Sequence, residues 1–227
     1  MCGRFIQATA SAAFAEQFGV DYAPQTAPRY NVAPSQPVFG IRAGAGGLEG
    51  VWLRWGLIPA WAAEPKISYR TLNARAETVA EKPVYRQAFR QRRCLIPADG
   101  FYEWQKTGNG KHKQPYGIGL ASGEPFAFAG LWERWERDGQ AIESCTLVVT
   151  VANALIAPIH DRMPVILDPA DYATWLNPAL RDPAPLTPLL RSYPAERMRA
   201  WPVGPAINHP RNEGPALMAA VPVQVSG

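Results

Sequence analysis

A β-dominated domain with short peripheral helices is what this sequence predicts, on three observations. Apolar runs recur at strand length and are separated by turns containing Gly or Pro. Stretches with helical periodicity are few and short. No internal repeat, low-complexity tract or convincing linker divides the chain. With 227 residues, 47% of them hydrophobic, the chain is long enough for one large domain or two small ones and must bury a core. One domain over residues 1–227 is the reading the pattern favours.

The elements follow in order. A short strand runs through Phe5 and Ile6. A helix comes next, with Thr9 or Ser11 as N-cap, Phe14 and Phe18 on one face and Gly19 as its stop. Pro24, Pro28, Pro34 and Pro37 make residues 21–37 an extended loop. Strands at 38–42 and 48–56 flank the glycines of 44–47 as a hairpin. In Trp55-Gly56-Leu57-Ile58-Pro59-Ala60-Trp61 two indoles bracket a loop, Trp55 as a core ring and Trp61 as an exposed stacking surface. Leu72–Thr78 places Asn73, Arg75 and Glu77 on one side of a strand. A basic helix over 84–92 leads into a buried strand at Cys94–Pro97. Hairpin turns are expected at Thr107–Gly110 and Asp138-Gly139, with long strands at 126–136 and 141–151 around the second. His112, among lysines beside the first of these turns, reads as exposed and inert. Residues 152–159 connect to Ile159-His160-Asp161-Arg162-Met163-Pro164 and a strand at Val165–Leu167. Asp168 caps a helix containing Tyr172, Trp175 and Leu176, residues 177–188 form a surface connection, and 197–203 return as a last strand.

Composition excludes several classes. No run of eighteen apolar residues exists to span a membrane, and no charged-then-apolar leader suggests secretion. The three cysteines, Cys2, Cys94 and Cys145, are far apart and form no CxxC pair, which argues against a disulfide framework or zinc knuckle and fits a reducing cytoplasm. Scattered Cys and His residues offer no metal shell, and no cofactor is called for. A net charge of +4 permits a polyanionic partner without demanding one.

The chemistry gathers at the chain start. Cys2 is small enough for Met1 to be removed, leaving an α-amine and a thiol on adjacent carbons. Their reference pKa values, about 8 and 8.5, lie near neutrality. Such an aminothiol condenses with an aldehyde to an imine, and sulfur then closes a thiazolidine ring. Gly3 gives the terminus freedom and Arg4 places a cation beside it. Glu103 stands among Phe101, Tyr102 and Trp104, where desolvation is expected to raise its pKa toward values useful for proton transfer. His160 is the histidine with a motif around it, since His209 sits in a Pro/Asn-rich stretch.

Six blocks in this order, MCGRF, RYNVAP, WGLIPAW, NARAET, ADGFYEW and IHDRMP, resemble the SRAP family of SOS response-associated peptidases and abasic-site processing proteins. The likeness runs from residue 2 to about residue 215. It implies a single α+β domain around an irregular, mostly antiparallel β-barrel, with a basic groove for single-stranded DNA. Carried over block by block, Cys2 is the nucleophile, surrounded by Asn73, Glu103 and His160. Arg4, Arg75 and Arg162 hold phosphates, and Pro34 and Trp61 border the flanking bases. The partner implied is single-stranded DNA containing abasic sites, met by a cytoplasmic monomer that associates with the nucleoid when bound to DNA. The family is also proposed to excise its own initiator methionine or leader, and strand scission at the abasic site is a further activity to consider. His160 could bind a phosphate or assist that scission.

Two other classes remain in view. A thiol peptidase acting on proteins in trans would use Cys2 and His160 as nucleophile and base. A DNA-binding module without chemistry would have no use for Glu103 or a processed Cys2.

Overall fold

The computed structural model describes residues 2–20, 23–107 and 112–222. Its strands are β1 (Arg4–Gln7), β2 (Arg29–Val32), β3 (Pro37–Gly44), β4 (Gly47–Trp55), β5 (Asn73–Arg75), β6 (Arg93–Ala98), β7 (Gly100–Thr107), β8 (His112–Leu120), β9 (Phe126–Arg137), β10 (Gln140–Val151), β11 (Arg162–Pro164), β12 (Ile166–Leu167) and β13 (Met198–Pro202). Three short helices lie at the periphery: α1 (Ser11–Phe18), α2 (Arg86–Gln91) and α3 (Tyr172–Leu176).

Two sheets share the strands. The smaller has the order β13-β8-β7-β1-β2, and all its pairings are antiparallel. In the larger, β10 pairs with both β4 and β9, so β10-β4-β3-β6-β9 closes into a five-stranded ring with β11, β12 and β5 attached. Closure removes the edges that an open sheet would expose. Only β4 and β5 run parallel to β10; the rest is antiparallel. The predicted α+β, barrel-like core is therefore what forms. The smaller sheet packs against the ring through Phe5, whose ring lies 5.0 Å from Trp55 and 5.8 Å from Phe128 in edge-on contacts. Cys2, Phe101, Ile118 and Met198 join Val38, Leu53, Ile96 and Leu147 in the same buried cluster.

Local chemistry departs from expectation at several points. Neither Thr9 nor Ser11 caps α1; Ala10 occupies the cap position with no side-chain bond. Thr9 is engaged elsewhere, its hydroxyl and amide both bonded to Asp99, and Ser11 Oγ accepts the amide of Thr26. A hydroxyl with a tertiary partner is unavailable to its own helix. Gly19 ends α1 as expected, in the left-handed region at φ 66°. Residues 29–32, taken as part of a long loop, are β2. Phe5 opposite Val32 completes the edge of the small sheet, so pairing overrides the flanking prolines. Asp138 and Gly139, at φ 50° and 76°, make the expected hairpin turn between β9 and β10. The turn expected at Thr107–Gly110 lies outside the described residues beyond Thr107, as does the side chain of His112. Among the described residues no helix is long and apolar enough to cross a membrane.

Candidate active site

Cys2 enters the structure at the head of β1, where Arg4 pairs with Tyr102 of β7. The chain leaves the strand at Gly3, freeing Cys2 from strand alternation, and Cys2 packs fully buried in the cluster that contains Phe5 and Phe101. Asn73 Nδ2 donates to the Cys2 carbonyl at 2.8 Å, tying the head of the chain to β5 across 71 residues. The other end of that amide, Oδ1, is buried with no hydrogen-bond partner among the described residues. Asn73 is itself held, because Tyr85 Oη donates to its carbonyl at 3.1 Å. Nothing in the sequence around Tyr85 signalled that role.

Glu103 is buried and its carboxyl is raised to about 7, chiefly by desolvation. The expected cause was Phe101, Tyr102 and Trp104 together, and the structure keeps only Phe101 on the carboxyl's face. Neighbours on a strand point to opposite faces. Tyr102 and Trp104 pack with Ile6, Val203 and Trp201, and their polar atoms go to the Tyr30 carbonyl and Asn208. Glu103 shares the face of Phe101 and Cys2, and it is the closed interior on that side that excludes water. The Cys2 thiol is pushed far up by burial, and the Glu103 charge adds to this. It is a neutral thiol with a titrating carboxyl beside it.

The segment after β10 closes the site. Gln105 Nε2 of β7 donates to the Pro158 carbonyl at 3.0 Å, which lays residues 158–161 along β7. Asp161 is near enough to raise Glu103 electrostatically. His160 Nδ1 accepts the Arg162 amide at 3.0 Å and also stands 2.9 Å from Asp161 Oδ1. These two contacts need opposite protonation states of Nδ1. Burial lowers the His160 pKa despite Asp161, so the neutral ring with its proton on Nε2 is the state that fits.

The arginines fall into two kinds. Arg162, on β11, has its guanidinium engaged by Glu77. Burial alone would raise Glu77, but its backbone amide, Arg162 and the charge of Arg75 hold it below the usual carboxylate range. Arg75 is exposed on β5, and among the described residues it makes no ion pair. Arg4 is half-buried, its pKa lowered by desolvation, and its Nε is buried without an acceptor among the described residues. β10 unites the strands that carry the other two, with Val149 opposite Arg75 on one side and Val151 opposite Arg162 on the other. Pro34 sits in a turn whose next residue, Ser35, adopts φ 69° and donates its amide to the Trp55 carbonyl at 2.8 Å. Trp55 is buried with Nε1 on the Leu72 carbonyl, and Trp61 projects into solvent on its own loop, as the sequence reading had them. Cys2, Asn73, Glu103 and the His160 segment thus converge, while Pro34 and Trp61 stand on separate loops. Glu77 and Asp161 are acidic neighbours to which the sequence alone assigned no role. Among the described residues no three His, Cys, Asp or Glu side chains gather as metal ligands.

Known proteins resemble this chain in sequence and in fold. Residues 1–210 match the profile of the SOS response associated peptidase (SRAP) family. The abasic site processing protein YoqW of Bacillus subtilis is 45% identical over 222 residues, spanning 96% of this chain and 99% of its own. A second Bacillus subtilis protein, abasic site processing protein YoaM, is 43% identical over 224 residues, covering 97% and 98% of the two chains. A crystal structure of a Bacteroides thetaiotaomicron protein superimposes with a TM-score of 0.87 at 28% identity, over 97% of this chain and all of the other.

Proposed function

This chain belongs to the SOS response associated peptidase (SRAP) family, and on that premise we propose that it captures abasic sites in single-stranded DNA covalently through Cys2. The observation that carries the proposal is the bond from Asn73 to the Cys2 carbonyl beside a buried carboxyl raised to about 7. An abasic deoxyribose opens to an aldehyde, and lacking a base it costs little to extrude from a strand. Removal of whatever precedes Cys2 frees its α-amine. That amine adds to the aldehyde carbon, and the carbinolamine loses its hydroxyl as water when Glu103 delivers a proton. This leaves an iminium beside the Glu103 carboxylate; the thiol gives its proton to that carboxylate as sulfur adds to the iminium carbon, closing a neutral thiazolidine and restoring the acid. A carboxyl that titrates near 7 is suited to both transfers. The free Oδ1 of Asn73 accepts from the amine or a sugar hydroxyl without competing for protons.

Arg4 and Arg75 attract phosphates, and Arg162 does so in competition with Glu77. Trp61 and Pro34 border the bases beside the gap. His160, held at Nδ1 by the Arg162 amide, lies beside Arg162 where it contributes a contact to a phosphate or sugar oxygen. Release of a leader before Cys2, and strand scission from an imine that sulfur has not yet closed, would draw on the same groups. A thiol peptidase acting in trans is disfavoured, because such enzymes depress the thiol pKa and here burial raises it.

The test is incubation with single-stranded DNA containing one aldehydic abasic site, followed by a denaturing gel and intact mass of the protein. A heat-stable adduct on chains that begin at Cys2 is expected. No adduct from such chains would sink the proposal.

A further inference from the structure

Among the described residues four large apolar side chains stand out in solvent: Trp52 at 42% exposure, Val151 at 54%, Trp61 at 61% and Tyr69 at 65%. Single exposed rings are ordinary, so exposure alone decides nothing. Placement does. Tyr69 lies in the short 3-10 helix Pro65–Arg70, which delivers the chain into Asn73. At four residues' distance it is within about 14 Å of Asn73 even were the chain fully extended.

The backbone beneath the ring is fixed. The Ser68 carbonyl packs on Gly56 so closely that a Cβ there would meet it at 2.6 Å. Thr71 Oγ1 donates to the Leu57 carbonyl at 2.6 Å and to that of Ile67 at 3.2 Å. Trp55, next to Gly56, in turn accepts the amide of Ser35. Three segments therefore lie side by side: Pro34-Ser35, Trp55-Gly56 and Ser68–Thr71. Pro34 and Tyr69 both belong to this block, and the exposed cation Arg70 adjoins Tyr69. An aromatic face held on rigid backbone beside a cation, a few residues from the site, has the composition of a single-strand stacking platform.

We propose that Tyr69 is a second base-stacking residue, holding a nucleobase on the strand that runs past the abasic position, beyond the bases bordered by Trp61 and Pro34. The inference rests on the reading that abasic single-stranded DNA occupies this site. Every base offers a π-face, so the contact tolerates any sequence.

The experiment measures the affinity of the full chain for a labelled single-stranded oligomer carrying a tetrahydrofuran abasic analogue, which has no aldehyde and cannot cross-link. Tyr69→Ala should weaken binding at least about fivefold, the lower edge for losing one stacked base, and Tyr69→Phe should stay within about twofold of the parent. Trimming the oligomer from either end should abolish the difference between parent and Tyr69→Ala once the stacked base is gone, which also identifies the side. Equal affinities of parent and Tyr69→Ala for the full oligomer would overturn the proposal. So would a loss in Tyr69→Phe as large as in Tyr69→Ala, since a hydroxyl contact would then carry the effect. Because the analogue bypasses covalent chemistry, failure of cross-linking by the parent protein counts against the Cys2 reading and leaves the Tyr69 comparison measurable.

Discussion

Cys2 and Cys94 are equally inaccessible, yet their surroundings differ in kind. Both thiols are fully buried and both are pushed far above the usual thiol range, first of all by desolvation. Cys94 sits in β6 against Gly130 of β9, so tightly that a Cβ on Gly130 would lie 2.8 Å from its sulfur, and its carbonyl accepts Trp175 Nε1. Apart from the Arg42 cation, whose charge lowers the thiol against the effect of burial, its neighbours are packing. Around Cys2 the neighbours are an amide with a spare acceptor and a carboxyl poised to titrate near neutrality. Burial makes a thiol inert on its own; under the proposed function, the carboxyl buried with it is what makes the same neutral thiol usable.

Removing the sulfur should break the comparison most sharply. Cys2→Ser is expected to lose the heat-stable adduct altogether while retaining DNA affinity, and a borohydride-trappable imine should survive. Cys94→Ser and Cys145→Ser should keep the adduct. A stable cross-link in Cys2→Ser equal to the parent's would show that ring closure by sulfur is the wrong account.

Glu103→Gln keeps the shape but cannot move protons. Single-turnover cross-linking in saturated complexes should slow at least about tenfold, a floor on the usual range for general acid–base help. In the parent, protonation of the α-amine limits the rate on the acid side and loss of the Glu103 proton should set the alkaline limb, which should flatten in the variant. Stability supplies the matching sign. A carboxyl raised from about 4.5 to about 7 on folding binds its proton more tightly in the native state. Its destabilising contribution is absent below 4.5, grows through that interval and is constant above 7. Each pH unit is worth about 1.4 kcal/mol, so Glu103→Gln should gain up to about 3 kcal/mol on the parent between pH 4.5 and 7, read by denaturant melts. A saturated rate unchanged by the substitution would leave Glu103 with a structural role only.

The Cys94 side should respond in stability instead. Gly130→Ala forces a methyl onto the Cys94 sulfur and should cost about 1–3 kcal/mol, with Cys94→Ala in the same chain recovering part of it. The saturated cross-linking rate should not move in either. A large rate defect would mean that the two regions are coupled.

The smallest effects belong to the arginines proposed to meet phosphates. Arg4→Ala and Arg75→Ala should each reduce the slope of log K against log salt by about 0.7. Arg162→Ala should do less, because it leaves Glu77 unbalanced and parts with a cation already half neutralised. Unchanged slopes in all three would move the DNA path to another face.

Much of this was legible in the chain itself. Gly19 as a helix stop and Asp138-Gly139 as a turn are local matters, governed by left-handed backbone that few residues accept. Hydrophobic runs at strand length were enough for a β-rich fold, and the blocks around Cys2, Asn73, Glu103 and His160 sufficed to name the groups that meet. What required the tertiary structure was every question of partnership. Thr9 looked like a cap and serves Asp99. Residues 29–32 looked like loop and pair with β1. Glu103 looked desolvated by all three aromatics around it, of which Tyr102 and Trp104 face away, and Arg162, expected on a phosphate, is held by Glu77. Sequence spacing sets which side chains share a face within one element. Which elements then meet depends on closure of the five-stranded ring and on the small sheet packed against it, and that is where Cys2 and Asn73, 71 residues apart, become neighbours.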